Sequence, residues 1–286
     1  MGTLGDEELD EPKYLKWIVE ENGVIENLGK EIKCYRINYN NDPDVLDDWA
    51  LHIRRHYIDD TELQEECDLL DCSPEEYLTK YIIPQKEGGL EATARSNTIT
   101  EILFSDLLEF VFEYHVPRCR QHNMSGKTVS EHGTDVIGYK FSKADKKPSL
   151  LDKLIAMEVK GVLAKSDVSV INKALKDSEK DEFRMSLTLN YMRRKLKNMG
   201  KIQEANDILR FQTKTKKGYD YQIEYIAAGI TSLPLLYQKQ IEGKTINIIP
   251  DINGNNLVIS DDRSIFFVHG KDLMKLAHNV YERCKK

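Results

Sequence analysis

The sequence predicts an α+β fold, with an N-terminal α/β region followed by a larger α/β core. Short runs of apolar or alternating residues indicate strands, and longer stretches with apolar residues at helical spacing indicate helices. Both patterns recur along the chain. At 286 residues and 33.1 kDa, the protein can bury a substantial core as one large domain or two small ones.

The N-terminal region combines one predicted strand with two predicted helices. The acidic residues 5–12 indicate a weakly ordered tail, and the alternation at residues 33–39 indicates a strand. An Asp-Pro pair opens a helix over residues 43–57. A second helix over residues 73–84 begins with an N-cap serine, an N1 proline and an N3 glutamate.

Residues 85–89, which end in two glycines, form the predicted boundary between residues 1–90 and residues 91–286. The first part has 23 acidic and 9 basic side chains, a net charge of −14, and the second has 25 and 32, a net charge of +7. The second part is therefore the one suited to binding phosphate. The acidic part is either a partner-binding or regulatory subdomain, or an appendage that completes the core.

The second part is predicted to run in the order helix, strand, strand, helix. Apolar residues at helical spacing indicate a helix over residues 99–112, and two short apolar runs indicate strands at residues 133–139 and 154–161. An amphipathic helical stretch follows at residues 167–200. The remaining predicted elements are a loop at residues 214–218, strands at residues 219–228 and 257–268, and a helix at residues 271–283.

Charged side chains interrupt the two apolar strands. Glu158 and Lys160 occupy positions i and i+2 of one strand, so they project from the same face. Charged groups with apolar neighbours are costly to bury unless they are paired, metal-bound or functional. If the two strands pair, Asp135 of the first strand meets Glu158. Two carboxylates and a lysine would then form a site for a hard cation and a phosphate.

Three lysines after the Glu158 strand are candidates for contacting a nucleic-acid backbone. They are Lys165, Lys173 and Lys176. Their position just beyond the charged strand suits phosphate binding. A run of charge on a helix is also commonly a solvated face, and that alternative stays open.

The cysteines and the hydropathy argue against two other classes of protein. Five scattered cysteines do not form the even set of a disulfide framework. Cys67 and Cys72, with His52 and His56 nearby, lack the ligand spacing of a zinc site. No apolar run is long enough to span a membrane, so we expect a cytoplasmic protein without a membrane partner.

The arrangement Asp135…Glu158-x-Lys160 resembles the D…ExK signature of the PD-(D/E)xK nuclease superfamily. The signature is short, but its context also matches. In the superfamily core, a helix that often carries an acid precedes the two strands of the motif, and Glu101 holds that position here. The resemblance implies a restriction-endonuclease-like core, in which helices flank a central mixed sheet.

One branch of this superfamily is similar over most of the chain, from the strand near Lys33 to the C-terminal helix. The similarity is carried by Arg95-x5-Glu101, His132-Gly133-x-Asp135 and Glu158-x-Lys160. These motifs resemble the HamA family, the nuclease subunits of Hachiman-type anti-phage defence systems. The resemblance implies a DNA-cleaving effector that forms a heterodimer with a superfamily 2 helicase subunit.

The resemblance also implies metal-dependent hydrolysis of a phosphodiester. Asp135 and Glu158 would bind Mg²⁺ or Mn²⁺, with the backbone carbonyl of Val159 as a further ligand. Glu101 would act on the metal directly or through water. Lys160 would orient the attacking water or neutralise developing charge, and both roles are open.

Two other functions remain compatible with the sequence. The first is a non-catalytic subunit that binds nucleic acid or a partner on a nuclease fold. The intact Asp, Glu and Lys argue against it, because decayed sites commonly lose one of these residues. The second is a stand-alone restriction or repair endonuclease, which the sequence does not separate from a defence effector.

Overall fold

Six strands meet in one mixed sheet flanked by helices, which confirms the predicted α+β class. The strands are β1 (Ile18–Ile25), β2 (Lys30–Ile37), β3 (Val136–Lys140), β4 (Lys153–Val162), β5 (Gln222–Ser232) and β6 (Arg263–Gly270). Their order across the sheet is β1-β2-β6-β5-β4-β3. The four central strands are parallel, and the two edge strands β1 and β3 run antiparallel to their neighbours.

The computed structural model describes most of the chain. The described residues are 10–25, 30–129, 133–167, 169–212, 220–233 and 263–285. Among the predicted features, most of the tail at residues 5–12, the loop at residues 214–218 and the first part of the strand at residues 257–268 lie outside them.

Eight helices surround the sheet in this part of the chain. They are α1 (Pro43–Tyr57), α2 (Asp60–Leu70), α3 (Pro74–Tyr77), α4 (Gly89–Asp106), α5 (Val170–Ser178), α6 (Asp181–Asn198), α7 (Ile202–Gln212) and α8 (Leu273–Arg283). A turn of π-helix extends α3 to Ile82, and another extends α4 to Val111. Among the described residues, no helix combines the length and the apolar character needed to cross a membrane.

Local signals explain the helices that the sequence predicted correctly. The Asp42 carboxylate accepts a hydrogen bond at the start of α1, and Ser73 and Glu76 form a capping box at the start of α3. The helical stretch predicted at residues 167–200 consists of two helices, because the chain breaks after Ser178 and starts a second helix at Asp181. Both helices bury apolar residues against the sheet. The apolar pattern therefore continues from one helix to the next and does not mark the break between them.

The two faces of the sheet carry different helices, and β4 contributes to both. Ile155 and Met157 pack on the face covered by α1, α4 and α8. Leu154 and Ala156 pack on the opposite face, against α6 and α7. Because side chains alternate along a strand, Glu158 and Lys160 continue the second series. The charged pair therefore lies on the face covered by α5, α6 and α7.

Residues on both sides of the predicted boundary near residue 90 contribute to one sheet and one apolar core. Strand β2 pairs with β6 in parallel, and Lys33 faces Phe266 in that register. Trp49 of α1 is buried in the same cluster as Ile226 of β5. The N-terminal strands thus extend the sheet directly. A partner-binding or regulatory role for residues 1–90 stays a prediction.

Candidate active site

Strand pairing brings Asp135 beside Glu158. In the antiparallel pair of β3 and β4, Val136 faces Met157, so one step further Asp135 faces Glu158 on the same side of the sheet. The Asp135 Oδ2 accepts a hydrogen bond of 2.9 Å from the backbone N–H of Val159. The N–H and C=O of one residue in an antiparallel strand point to the same neighbour. The Val159 carbonyl is therefore directed toward the side on which Asp135 lies.

Glu158 is a nearly buried carboxylate with one oxygen left unpaired. Its side chain is 5% exposed, and its Oε1 accepts a hydrogen bond of 2.5 Å from the Lys160 ammonium. Its Oε2 is buried and has no hydrogen-bond partner among the residues that the structure describes. Burial raises the pKa of Glu158 to about 7; the Asp135 carboxylate adds to the rise, and Lys160 opposes it. Such an oxygen is suited to a cation.

Lys160 is held between two acids. Besides Glu158, its ammonium contacts Asp177 Oδ2 at 3.1 Å, near the end of α5. Burial by itself would lower the pKa of Lys160, but the hydrogen bond and charge of Glu158, with Asp135 and Asp177, raise it overall. Lys160 is therefore a protonated donor near neutral pH.

Glu101 reaches the site through an arginine. On α4, its Oε2 accepts hydrogen bonds from Arg120 Nε at 3.1 Å and from Gln121 Nε2 at 2.8 Å. The same guanidinium donates to Asp135 Oδ1 at 3.0 Å and thus bridges the two carboxylates. Burial raises the pKa of Glu101 to about 7, although Arg120 opposes the rise. In this structure Glu101 is linked to Asp135 by Arg120.

Asp181 is a further acid at the site that sequence reasoning missed. It is the first residue of α6 and is fully buried. Its Oδ1 accepts a hydrogen bond of 2.9 Å from the Thr134 hydroxyl, and its Oδ2 has no partner in the described parts of the chain. Burial, with the charge of Asp135, raises the pKa of Asp181 to about 6. The available signal was the start of a helix at this residue, which the predicted helical stretch at residues 167–200 did not resolve.

This donor set fits a hard divalent cation. Oxygen atoms are the ligands that Mg²⁺ and Mn²⁺ prefer, and such ions keep several waters, so few protein ligands suffice. Asp135 and Glu158 lie together, and the unpaired oxygens of Glu158 and Asp181 are buried. The raised pKa values of Glu158 and Asp181 indicate that burial, with the charge of Asp135, disfavours their ionised forms. A divalent cation would stabilise those ionised forms.

Arg95 and the three lysines lie outside the cluster formed by Asp135, Glu158 and Lys160. The buried Arg95 guanidinium donates to the Pro84 carbonyl and to Glu282, and so anchors α4 beside α8. Lys165 lies exposed in the loop after β4, and Lys173 and Lys176 lie exposed on α5. Lys173 pairs with Asp167 at 2.9 Å. Glu131 and His132, which precede Gly133, lie outside the described residues.

In the described residues, two groups of three side chains hold their ligand atoms close enough together for a metal ion, and both are separate from Asp135, Glu158 and Asp181. One is Glu21, Cys34 and His269, and the other is His52, His56 and Asp106. In the second group, Asp106 is already paired with Arg118 at 2.7 Å and accepts a hydrogen bond from the Tyr14 hydroxyl. Asp106 is thus already engaged in an internal ion pair. Neither group includes Cys67 or Cys72, which are free thiols.

Comparison with known protein families identifies a match over most of the chain. A protein-family model described as HamA matches residues 12–284, which is nearly the whole chain. The match includes the strands and helices that build the site. No curated protein matches the chain.

Proposed function

Because the chain belongs to the HamA family of Hachiman-type defence proteins, we propose that it is a metal-dependent DNA nuclease. In this proposal it is the effector subunit of an anti-phage complex and forms a heterodimer with a superfamily 2 helicase subunit. The observation that carries the proposal is the convergence of Asp135, Glu158 and Lys160 on one sheet face, with a buried, unpaired oxygen on Glu158.

Asp135, Glu158 and the Val159 carbonyl would hold Mg²⁺ or Mn²⁺. A bound ion would polarise the scissile phosphate and lower the pKa of a coordinated water. The Val159 N–H fixes the Asp135 carboxylate, and the sheet fixes Glu158, so the two ligands are positioned before substrate binds. Glu101 and Asp181 would add negative charge near the ion.

Lys160 would act as a fixed positive charge. Since neighbouring acids raise its pKa, its ammonium stays protonated near neutral pH and has no lone pair with which to accept a proton. It can donate a hydrogen bond to a water or to a phosphate oxygen. The geometry therefore favours the electrostatic role over the general-base role, because charge on the phosphate grows in the transition state.

Lys165, Lys173 and Lys176 would contact the backbone of the substrate. They follow β4 in the chain and are exposed, so they can form ion pairs with phosphates without a burial cost. Residues 91–286, with a net charge of +7, would attract DNA, whereas residues 1–90, with −14, would repel it. The acidic region would restrain the nuclease or dock the helicase.

The experiment is cleavage of supercoiled plasmid in Mg²⁺ by the full chain, with and without the co-expressed neighbouring helicase. Glu158→Gln removes the proposed ligand, and Glu113→Gln, at an acid that is 81% exposed, is the matched control. Nicking confined to the complex, lost in the first variant and kept in the second, supports the proposal. Nicking by the lone chain indicates a stand-alone nuclease, and no nicking in either sample indicates a binding subunit.

A further inference from the structure

The Arg120 guanidinium occupies the space between two acids of the proposed site. It donates from Nε to Glu101 at 3.1 Å and from Nη2 to Asp135 Oδ1 at 3.0 Å. Its Nη1 donates to the Thr134 carbonyl at 3.0 Å. The side chain is 13% exposed, as is that of Glu101. The guanidinium thus places a positive charge between the carboxylates of Glu101 and Asp135.

This arrangement competes with a metal for Asp135. One Asp135 oxygen accepts from Arg120 and the other from the Val159 N–H. A carboxylate with both oxygens used as hydrogen-bond acceptors has fewer lone pairs to give to an ion. The positive guanidinium also repels a cation at short range. Release of Asp135 by Arg120 would therefore favour metal binding.

The backbone of Arg120 is anchored, and a small pocket borders its side chain. The Lys195 ammonium donates to the Arg120 carbonyl at 3.1 Å, which anchors the main chain to α6. Beside the guanidinium is a small pocket lined by Thr134, Asp135, Thr188 and Tyr191 as well as Arg120. The planar guanidinium fork binds carboxylate and phosphate in the same bidentate geometry. A substrate phosphate is therefore a chemically equivalent partner for it.

We propose that Arg120 exchanges its carboxylate partners, Glu101 and Asp135, for a substrate phosphate, and so couples metal binding to substrate binding. Without substrate, Arg120 neutralises the acids and weakens metal binding. With substrate, it contacts phosphate and leaves Asp135 to the metal. The proposal rests on the proposed nuclease function. Because coupling between two ligands is reciprocal, each should strengthen binding of the other.

The test is a calorimetric Mn²⁺ titration of the full chain without DNA, comparing wild type with Arg120→Gln. We expect the variant to bind Mn²⁺ at least about tenfold more tightly, because a competing charge is removed. The matched control is Arg193→Gln on α6, which loses the same charge from a guanidinium that donates to the amide oxygens of Asn190 and Gln212. We expect the control to bind Mn²⁺ like the wild type.

A second titration measures the coupling itself. Ca²⁺, which has the same oxygen preference, is titrated with and without a short DNA duplex. DNA should strengthen Ca²⁺ binding to the wild type, and most of that effect should disappear in Arg120→Gln. A duplex that strengthens Ca²⁺ binding equally in both proteins would overturn the coupling.

Asp135→Asn separates failure of this inference from failure of the proposed function. If Asp135→Asn binds Mn²⁺ like the wild type, the ion does not bind at this site and the proposed function fails. If Asp135→Asn loses Mn²⁺ while Arg120→Gln binds it no more tightly than the wild type, only the inference fails. Should Arg120→Gln not fold, the double variant Glu101→Gln with Arg120→Gln takes its place, since it leaves no uncompensated acid at position 101.

Discussion

Three carboxyl groups near the end of β4 have pKa values raised by burial. They are Glu101, Glu158 and Asp181, with values of about 7, 7 and 6. Each raised value means that the fold disfavours the ionised form. The protein keeps these groups although they cost stability when ionised, which is typical of a functional site. An ion would be bound in competition with protons.

The first prediction concerns the pH dependence of metal binding. Because the pKa of Glu158 lies near 7, the group gains a proton as the pH falls, and metal must then displace it. Mn²⁺ affinity should therefore fall roughly tenfold per titrating carboxyl between about pH 8 and about pH 6. Calorimetric titration of the wild type and of Glu113→Gln should give this same dependence. An affinity independent of pH over this range would contradict it.

At the scale of elements, close packing of α4 on β4 holds Glu101 near the site. A Cβ added to Gly161 would lie 2.7 Å from the Thr100 hydroxyl oxygen of α4. Gly161 follows Lys160 directly, and Thr100 precedes Glu101 directly. The absence of a side chain at residue 161 thus allows helix and strand to approach where the site is built. A larger residue requires the Thr100 side chain, or one of the two elements, to shift.

The second prediction is that Gly161→Ala destabilises the fold by about 1 to 3 kcal/mol, because it overpacks this contact. Gly89→Ala is the matched control, since no atom lies within 4 Å of its added Cβ and it begins α4. The control should change the free energy of unfolding by less than about 0.5 kcal/mol. Urea unfolding of both variants measures the difference. Equal stabilities would show that the contact tolerates a methyl group.

Elements with strong local signals could be predicted from the sequence. Capping residues predict helices α1 and α3, and a continuous apolar run predicts strand β4. Helix α2 could not be found in this way, because it buries only Leu63 and Cys67 and so has a weak apolar stripe. Strand β1 contains two acids, an asparagine and a glycine, and its pairing with β2 stabilises it as an edge strand.

Some residues of the candidate site could likewise be predicted from the sequence, and others could not. Glu158 and Lys160 could be predicted because their spacing along one strand fixes a shared face, and Asp135 because strand pairing brings it beside Glu158. Arg120 and Asp181 could not, since each reaches the site only through tertiary packing. Arg120 lies in an irregular segment, where no periodicity indicates the direction of its side chain. Residues that reach a site only through tertiary packing produce little recognisable pattern in the sequence around them.

At the scale of the whole molecule, the acidic and the basic parts of the chain share one core. Strand β2 covers the edge of β6, and α1 packs beside α8. The Arg283 guanidinium pairs with Asp47 across the two parts. Any restraint by residues 1–90 is therefore exerted by a region that also stabilises the fold. Charge substitutions in the full chain are better suited to test restraint than truncation.

The third prediction is that residues 91–286 expressed alone do not fold. Removal of residues 1–90 would leave the β6 edge unpaired and expose the apolar surface that Trp49 and Ile53 cover. The fragment should be insoluble or lack a cooperative thermal transition, whereas the full chain should melt cooperatively. Circular dichroism and the soluble fraction after expression measure this. A soluble fragment with a cooperative transition would contradict the prediction.

The most direct test of the proposed site is the rate of plasmid cleavage in Mg²⁺ by the helicase complex carrying Glu158→Gln. A Glu-to-Gln change preserves shape and removes the negative charge, so the variant should fold like the wild type, with a melting temperature no lower. Its rate should fall at least about a hundredfold, equivalent to about 2.7 kcal/mol of transition-state stabilisation. The Glu113→Gln complex should keep the wild-type rate. Cleavage by the Glu158→Gln complex at the wild-type rate would contradict the assignment of catalysis to Asp135, Glu158 and Lys160.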